Sequence, residues 1–236
     1  MDNPIIVALD LPSPQKALKL AGELSPLVGA FKVGKQLFTS GGPDVVRKLR
    51  ATGARGFLDL KLHDIPNTVV GAMRSAADLG VDLITVHTAG GSAMLEAAAG
   101  ASGSHTRVLG LTVLTSLTPA ELKVVWGREI RSIQEEVGRL TDLAVECGLD
   151  GVVASALEAT WIRNRVDSDF LVVTPGIRPS GTDPGDQRRV ATPADAVAAG
   201  SDYLVVGRTI TQAADPHAAL EGLLAEMSEP PFSETP

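Results

Sequence analysis

Charged side chains interrupt two apolar segments of the sequence at spacings that would bring them together. Asp59 and Lys61 lie two residues apart in one leucine-rich segment, and Lys32 lies inside another apolar segment. Residues two apart in a β-strand share a face, and charged residues at half-buried positions are costly unless they are paired. We therefore expect Lys32, Asp59 and Lys61 to form one ionic network that can transfer a proton or stabilise developing negative charge.

The alternative interpretation is a buried salt-bridge cluster that only fixes the register of neighbouring strands. For a single Lys–Asp pair this would be the better interpretation. Three ionic residues that converge at one point favour a functional site, because such sites are where charged groups are buried together.

The elements that must position these residues are short runs rich in Val, Ile and Leu, separated by longer stretches with helical spacing. This alternation is typical of βαβ units. Six prolines mark helix starts, in the pairs Ser13-Pro14, Gly42-Pro43, Ile65-Pro66, Thr118-Pro119, Thr192-Pro193 and Asp215-Pro216, and glycines at 53, 80, 148 and 200 mark helix ends. The eight predicted strands are residues 5–10, 30–34, 56–61, 83–87, 108–114, 151–155, 170–176 and 203–208.

Eight strand–helix repeats predict an α/β protein with a closed (β/α)8 TIM barrel. We expect one domain over residues 1–228 and a disordered proline-rich tail over residues 229–236. A doubly wound open sheet is the alternative, but no G-x-G-x-x-G follows the first strand. In a barrel the site lies where strands end and βα loops begin.

Composition excludes several classes of function. A net charge of -7 argues against nucleic-acid binding, which requires many basic side chains. No apolar run approaches the roughly 20 residues of a membrane span, so a cytoplasmic protein is expected. The single cysteine, Cys147, is interpreted as a buried thiol at a helix end. Since no His or Cys pair has the spacing of metal ligands, no metal is expected.

A second group of residues suggests phosphate binding. Gly207 follows the eighth strand and lets the backbone approach a ligand, while Arg208 offers a planar donor fork. Phosphate sites after the last strands recur in barrels, although Arg208 as a solvated charge remains an alternative. Thr115 is either a ligand contact or an ordinary strand former, and His87 is more simply a hydrogen-bonded core histidine.

The chain resembles the orotidine 5′-monophosphate decarboxylase family over nearly its whole length. The first motif is Asp59-x-Lys61-x-x-Asp64 followed by Ile65-Pro66-Asn67-Thr68. That motif is weak by itself, but together with the others, in the same order, it is specific. The others are Ala8-Leu9-Asp10, Lys32-Val33-Gly34, Leu114-Thr115-Ser116, residues 174–179 (Thr-Pro-Gly-Ile-Arg-Pro), residues 185–189 (Gly-Asp-Gln-Arg-Arg) and Val206-Gly207-Arg208.

This resemblance implies a cofactor-free enzyme that decarboxylates orotidine 5′-monophosphate to UMP, the last step of pyrimidine biosynthesis. It implies that Lys61 protonates C6 of the pyrimidine, that Asp59 lies beside the substrate carboxylate, and that Lys32 and Asp64 complete the charged array. Loss of CO2 leaves an electron pair orthogonal to the ring π-system, so a preorganised ammonium is the aid that the chemistry requires.

The resemblance also implies further substrate contacts and a partner. Asp10 would bind the ribose, and Thr115 would contact the pyrimidine. Arg178 and Gln187, in the long loop after the seventh strand, would bind the substrate. Asp64 and Thr68 would reach into the active site of a second subunit, so a homodimer with shared sites is implied.

Two other interpretations stay open from the sequence. Sugar-phosphate decarboxylases and hexulose-phosphate synthases share the Asp-x-Lys-x-x-Asp run but use Mg²⁺, with a glutamate on the second strand where this chain has Lys32. A non-catalytic phosphate-sensing barrel is the third interpretation. A pure binder gains little from burying four ionic groups, which argues against it.

Overall fold

The computed structural model describes residues 3–181 and 189–228, which form a closed barrel of eight parallel strands. The strands are β1 (Ile5–Ala8), β2 (Ala30–Gly34), β3 (Gly56–Leu62), β4 (Leu83–His87), β5 (Arg107–Leu111), β6 (Gly151–Val153), β7 (Leu171–Pro175) and β8 (Tyr203–Val206). Each strand pairs with its neighbours in chain order, and β1 closes the barrel on β8. The predicted (β/α)8 fold is thus confirmed.

Helices surround the barrel. They are α1 (Pro14–Leu24), α2 (Lys35–Arg50), α3 (Pro66–Asp78), α4 (Ser92–Ala101), α5 (Pro119–Trp126), α6 (Ile133–Glu146), α7 (Ala156–Arg163), α8 (Pro193–Ala198), α9 (Arg208–Thr211) and α10 (Pro216–Met227). In the part of the chain that the structure describes, none is both long and apolar enough to cross a membrane.

Five of the six prolines that were predicted to start helices do so, and one does not. Helices α1, α3, α5, α8 and α10 each begin at the proline itself. The expected start at Gly42-Pro43 is instead a kink inside α2, which already begins at Lys35. Gly42 has a φ of 59°, and this left-handed conformation lets the helix turn and continue from Pro43.

The predicted strands were too long at several carboxyl ends. The run 5–10 is a strand only to Ala8, and the run 108–114 ends at Leu111. In both places the residues after the strand belong to a loop at the rim of the barrel and no longer pair as part of the sheet. Asp10 and Thr115 therefore lie on loops above the strands, which is where a barrel places its site.

A short repeated sequence, Gly-x-Asp, precedes three of the even-numbered strands. The glycines have φ values of 70°, 74° and 98° and end the preceding helices. Each aspartate accepts a backbone N–H from the start of the strand before it, at 2.6–2.8 Å. The pairs of aspartate and donor residue are Asp82 with Gly56, Asp150 with Val108, and Asp202 with Val172. These hydrogen bonds hold neighbouring strands together at the end of the barrel opposite the site.

Two buried clusters stabilise the fold. One fills the interior of the barrel and contains inward-facing residues such as Ile6, Phe57 and Leu109. The other lies between the strands and the helices and contains the alternate residues, such as Val7 and Leu58. Cys147 is buried at the end of α6, as predicted. Since the interior is packed with side chains, a ligand can enter only at the rim.

Candidate active site

A cavity of about 630 Å³ opens at the carboxyl ends of the strands. Its floor is apolar and includes Phe57 and Leu111, while charged and polar side chains converge above it. The predicted site residues that line this cavity are Asp10, Lys32, Asp59, Lys61, Thr115, Arg178, Gly207 and Arg208. Residues of seven of the eight strands, or of the loops that follow them, thereby form one concave surface whose size is typical of small-molecule sites.

Lys61, Asp59 and Lys32 form the continuous ionic cluster that the sequence predicted. The Nζ of Lys61 donates to both Asp59 carboxylate oxygens at 2.7 Å. The Nζ of Lys32 lies 3.4 Å from Oδ2 of Asp59 and donates to Oδ1 of Asp10 at 3.2 Å. Asp59 and Lys32 are each 8% exposed. Positive and negative groups alternate along the cluster. The Lys32 ammonium lies between the carboxylates of Asp10 and Asp59, and the Lys61 ammonium lies beside that of Asp59.

Gly34 makes room for part of this cluster. A Cβ atom at this position would lie 2.6 Å from Oδ1 of Asp10 and 3.0 Å from Nζ of Lys32. Any larger residue would therefore push apart the pair that joins β1 to β2. This explains why a residue without a side chain follows Lys32-Val33 at the end of β2.

Opposing effects determine the ionisation of Asp59. Burial would by itself raise the pKa of this carboxyl, but the positive charges of Lys32 and Lys61 together hold the pKa below its usual range. Hydrogen bonds from Lys61 and Thr85 act in the same direction. Asp59 is therefore a carboxylate at neutral pH and presents a fixed negative charge beside the Lys61 ammonium.

The backbone of β3 departs from regular strand geometry at the same place. Leu58 pairs with Ile84 and Leu62 with Val86, so β3 contains two more residues than β4 over this stretch. Within this bulge Lys61 has a φ of 53°, and it is the one non-glycine residue with positive φ among those described. The two side chains that we expected to share a face through simple alternation are brought together by the bulge instead.

Arginine side chains form the other end of the cavity. Arg178 is partly buried and donates to its neighbour's carbonyl, the Ile177 oxygen, at 2.8 Å. Burial and then the nearby positive charge of Arg208 lower the pKa of Arg178. The two guanidinium groups repel each other and make this end of the cavity, beside Gly207, electropositive. Such an end favours the binding of an anion.

Asp64 and Thr68 do not line the cavity of their own chain. Both are exposed, and Oδ1 of Asp64 accepts the N–H of Ile65 at 2.7 Å. Ile65, which lies between them, is 68% exposed. Gln187 lies outside the described residues, as does the proline-rich tail from residue 229.

His87 at the end of β4 is half-buried and does not line the cavity. Its ring stacks on that of His63 with the centroids 5.2 Å apart, and its Nδ1 accepts the N–H of Ala89. Burial and the nearby charges of His63, Lys35 and Lys61 lower its pKa. His87 is therefore neutral at physiological pH.

The sequence did not single out Thr85 or the pair Arg189–Glu158. Thr85 donates to Asp59 and accepts the backbone N–H of Lys61. Arg189 binds Glu158 at 2.8 Å, and it also donates at 3.2 Å to the carbonyls of Val113 and Leu114, which line the cavity. Glu158 is 4% exposed, and burial raises its pKa against the opposing charge of Arg189. Arg189 ends the Gly-Asp-Gln-Arg-Arg motif but carried no predicted role, and nothing in the local sequence distinguishes Glu158 from a surface charge.

A closed parallel barrel with alternating buried charges and an arginine-lined end at the carboxyl ends of its strands has the layout of a TIM-barrel enzyme. Within residues 3–181 and 189–228, no group of three His, Cys, Asp or Glu side chains is placed to hold a metal ion. The sequence model of the orotidine 5′-phosphate decarboxylase / HUMPS family matches residues 3–223. The chain belongs to this family.

Individual relatives match over nearly their full length. Orotidine 5′-phosphate decarboxylase of Halorhodospira halophila is 51% identical, with 95% of each chain covered. That of Moorella thermoacetica is 50% identical, covering 94% of this chain and 91% of the relative. The crystal structure of orotidine 5′-phosphate decarboxylase from Lactobacillus acidophilus superposes with a TM-score of 0.81 at 40% identity, covering 97% of this chain and all of the other.

Proposed function

We propose that this chain decarboxylates orotidine 5′-monophosphate to UMP, with Lys61 as the proton donor to C6. Membership of the family and the names of close relatives support the reaction. The single observation that supports the mechanism is the buried cluster in which the Lys61 ammonium lies 2.7 Å from the Asp59 carboxylate inside the cavity.

The reaction breaks the bond between C6 and the carboxylate, and the electron pair of that bond remains on C6 as CO2 leaves. The Lys61 ammonium stabilises this developing charge and then transfers a proton to C6, which forms the new C–H bond. The neutral amine of Lys61 regains its proton from water. Asp59, which is itself paired with Lys32, holds the ammonium in place, so little reorganisation is needed at the moment of reaction.

Binding of the remainder of the substrate follows from the layout of the cavity. Arg208 and Arg178 would bind the phosphate, with Gly207 allowing close approach of the backbone. Asp10, whose side chain is 52% exposed at the rim, would accept hydrogen bonds from the ribose hydroxyls. Thr115 would contact the pyrimidine, and Gln187 would reach between base and phosphate. The phosphate end supplies binding energy that orients the base over Lys61.

The active unit is proposed to be a homodimer in which Asp64 and Thr68 enter the partner's cavity. The exposed position of both residues, together with the exposed side chain of Ile65, supports this arrangement. Ile65→Asp should yield monomers in sedimentation velocity and lose activity. Leu157→Asp, which changes an equally exposed residue on α7 at the opposite side of the barrel, should change neither. Dimers of Ile65→Asp with full activity would contradict the proposal.

A single assay separates this function from the two alternatives. Purified protein is incubated with orotidine 5′-monophosphate and EDTA while the loss of ultraviolet absorbance is followed. Turnover that the chelator does not affect supports the proposal. Binding without turnover would indicate a phosphate-sensing barrel. Activity only on sugar phosphates, and only with Mg²⁺, would indicate the other branch of the family.

A further inference from the structure

Thr85 is a fully buried polar residue in the middle of β4, between two apolar neighbours. Its side chain lies against the bulge in β3, where the regular pairing between the two strands is interrupted. The hydroxyl oxygen accepts the backbone N–H of Lys61 at 2.9 Å. The hydroxyl also bonds to Oδ1 of Asp59 at 2.9 Å. One side chain thus joins the backbone of Lys61 to the side chain of Asp59.

The direction of both hydrogen bonds is fixed by their partners. A backbone N–H can only donate, so the Thr85 oxygen must be the acceptor from Lys61. The Asp59 carboxylate is ionised and can only accept, so the hydroxyl hydrogen must point to Asp59. A threonine or serine hydroxyl satisfies both requirements at once. A residue with the same shape but no hydroxyl satisfies neither.

The hydrogen bond to Lys61 matters because this residue has an unfavourable backbone conformation. A φ of 53° is costly for a long side chain and persists only where the surroundings impose it. In the bulge the Lys61 N–H bonds to the Thr85 hydroxyl in place of a carbonyl of β4. The hydroxyl therefore holds the backbone conformation that directs the Lys61 side chain towards Asp59.

We propose that Thr85 is a positioning residue for decarboxylation, whose hydroxyl fixes both the backbone of Lys61 and the carboxylate of Asp59. This inference rests on the function proposed above. Thr85 does not line the cavity, so it does not touch the substrate and acts only through these two residues. Its loss should slow the chemical step while substrate binding at the arginine-lined end is retained.

The test compares Thr85→Val with Thr85→Ser in steady-state kinetics with orotidine 5′-monophosphate. Displacement of a reacting group by about 1 Å costs on the order of 100-fold in rate. We therefore expect Thr85→Val to lower kcat about 100-fold with KM changed less than about threefold, and Thr85→Ser to retain kcat within about threefold. Thr85→Ala replaces Thr85→Val if the valine variant does not fold.

The matched control is Thr141→Val, which removes a buried hydroxyl that donates to the Val137 carbonyl within α6, away from the cavity. It should retain wild-type kcat even if its melting temperature falls as far as that of Thr85→Val. Wild-type kcat in Thr85→Val, or equal losses in Thr85→Ser and Thr85→Val, would overturn the proposal.

Amide hydrogen exchange provides a readout that does not depend on activity. The Lys61 N–H should exchange slowly in the wild type and in Thr85→Ser, and faster in Thr85→Val or Thr85→Ala. Fast exchange in the wild type would overturn the role of Thr85. A wild-type protein that shows this protection but does not decarboxylate orotidine 5′-monophosphate would instead contradict the proposed function, so the two failures are distinguishable.

Discussion

Replacing Lys32 with methionine should raise the pKa of Asp59, because the positive charge of Lys32 is one of the two nearby charges that lower it. Lys32→Met keeps the length of the side chain and removes its charge. The Nζ of Lys32 lies 3.4 Å from Oδ2 of Asp59, and only 10–11% of either side chain is exposed. Lys61 would remain as the single cation in contact with Asp59.

The size of the effect follows from this distance. At 3.4 Å and an effective dielectric constant of about 20, the gross attraction is about 5 kcal/mol. Much of this offsets the cost of burying Asp59, and a single opposite charge at such a distance typically shifts a carboxyl pKa by about 1–3 units. The pKa of Asp59 should therefore rise in Lys32→Met.

Lys32→Met should also change how the stability of the protein depends on pH. The lowered pKa of Asp59 in the wild type contributes stability above the unfolded pKa, and this is lost as pH falls through the folded pKa. In the variant the folded protein binds its proton at higher pH. The difference in unfolding free energy between wild type and Lys32→Met should therefore widen as pH rises towards 7 and the Asp59 carboxyl ionises in the variant as well, by up to about 1.4 kcal/mol for each unit by which the two folded-state pKa values differ.

Carbon-13 NMR titration of the Asp59 carboxyl gives the pKa directly, and urea unfolding at pH 4 and pH 7, at one protein concentration, gives the free energies. Lys48→Met, which removes an exposed lysine on α2, serves as the control and should change neither measurement. An unchanged Asp59 titration in Lys32→Met, or a stability difference that is equal at the two pH values, would refute the reasoning.

Two further predictions concern the rest of the site. Arg208→Gln should weaken UMP binding about 10- to 100-fold in calorimetry, the loss expected for charge-assisted hydrogen bonds, and leave uridine binding unchanged; equal losses for both ligands would exclude a phosphate role. Arg189→Met should reduce the unfolding free energy by about 3–5 kcal/mol, because it leaves the buried Glu158 unpaired. The double variant Arg189→Met/Glu158→Met should recover most of the lost unfolding free energy, as measured by urea unfolding. If it recovers none, the pairing of Arg189 with Glu158 is contradicted.

The fold could be predicted from the sequence because each element carries its own signal. The buried parallel strands read as continuous apolar runs, and prolines and left-handed glycines mark the ends of helices. The kink in α2 was misread as a start because proline is favourable both at a first turn and where a helix resumes after a bend. Local preference does not distinguish these two cases.

The site was predictable where charge interrupts an apolar pattern, as at Lys32, Asp59 and Lys61. It was not predictable where the structure depends on contacts between strands. The bulge in β3 has no local signal, since the residue with positive φ is Lys61 and not the glycine that usually marks such a position. Thr85 reads as a common β-former, and its hydroxyl acquires a role only when β4 lies against that bulge.

The most direct test of the central claim is a single-turnover measurement of orotidine 5′-monophosphate decarboxylation by Lys61→Ala, with Lys48→Ala as the control. The expected result is loss of turnover in Lys61→Ala, with a folded protein that still binds UMP, and full turnover in Lys48→Ala. Decarboxylation by Lys61→Ala at a rate near that of the wild type would show that another group protonates C6.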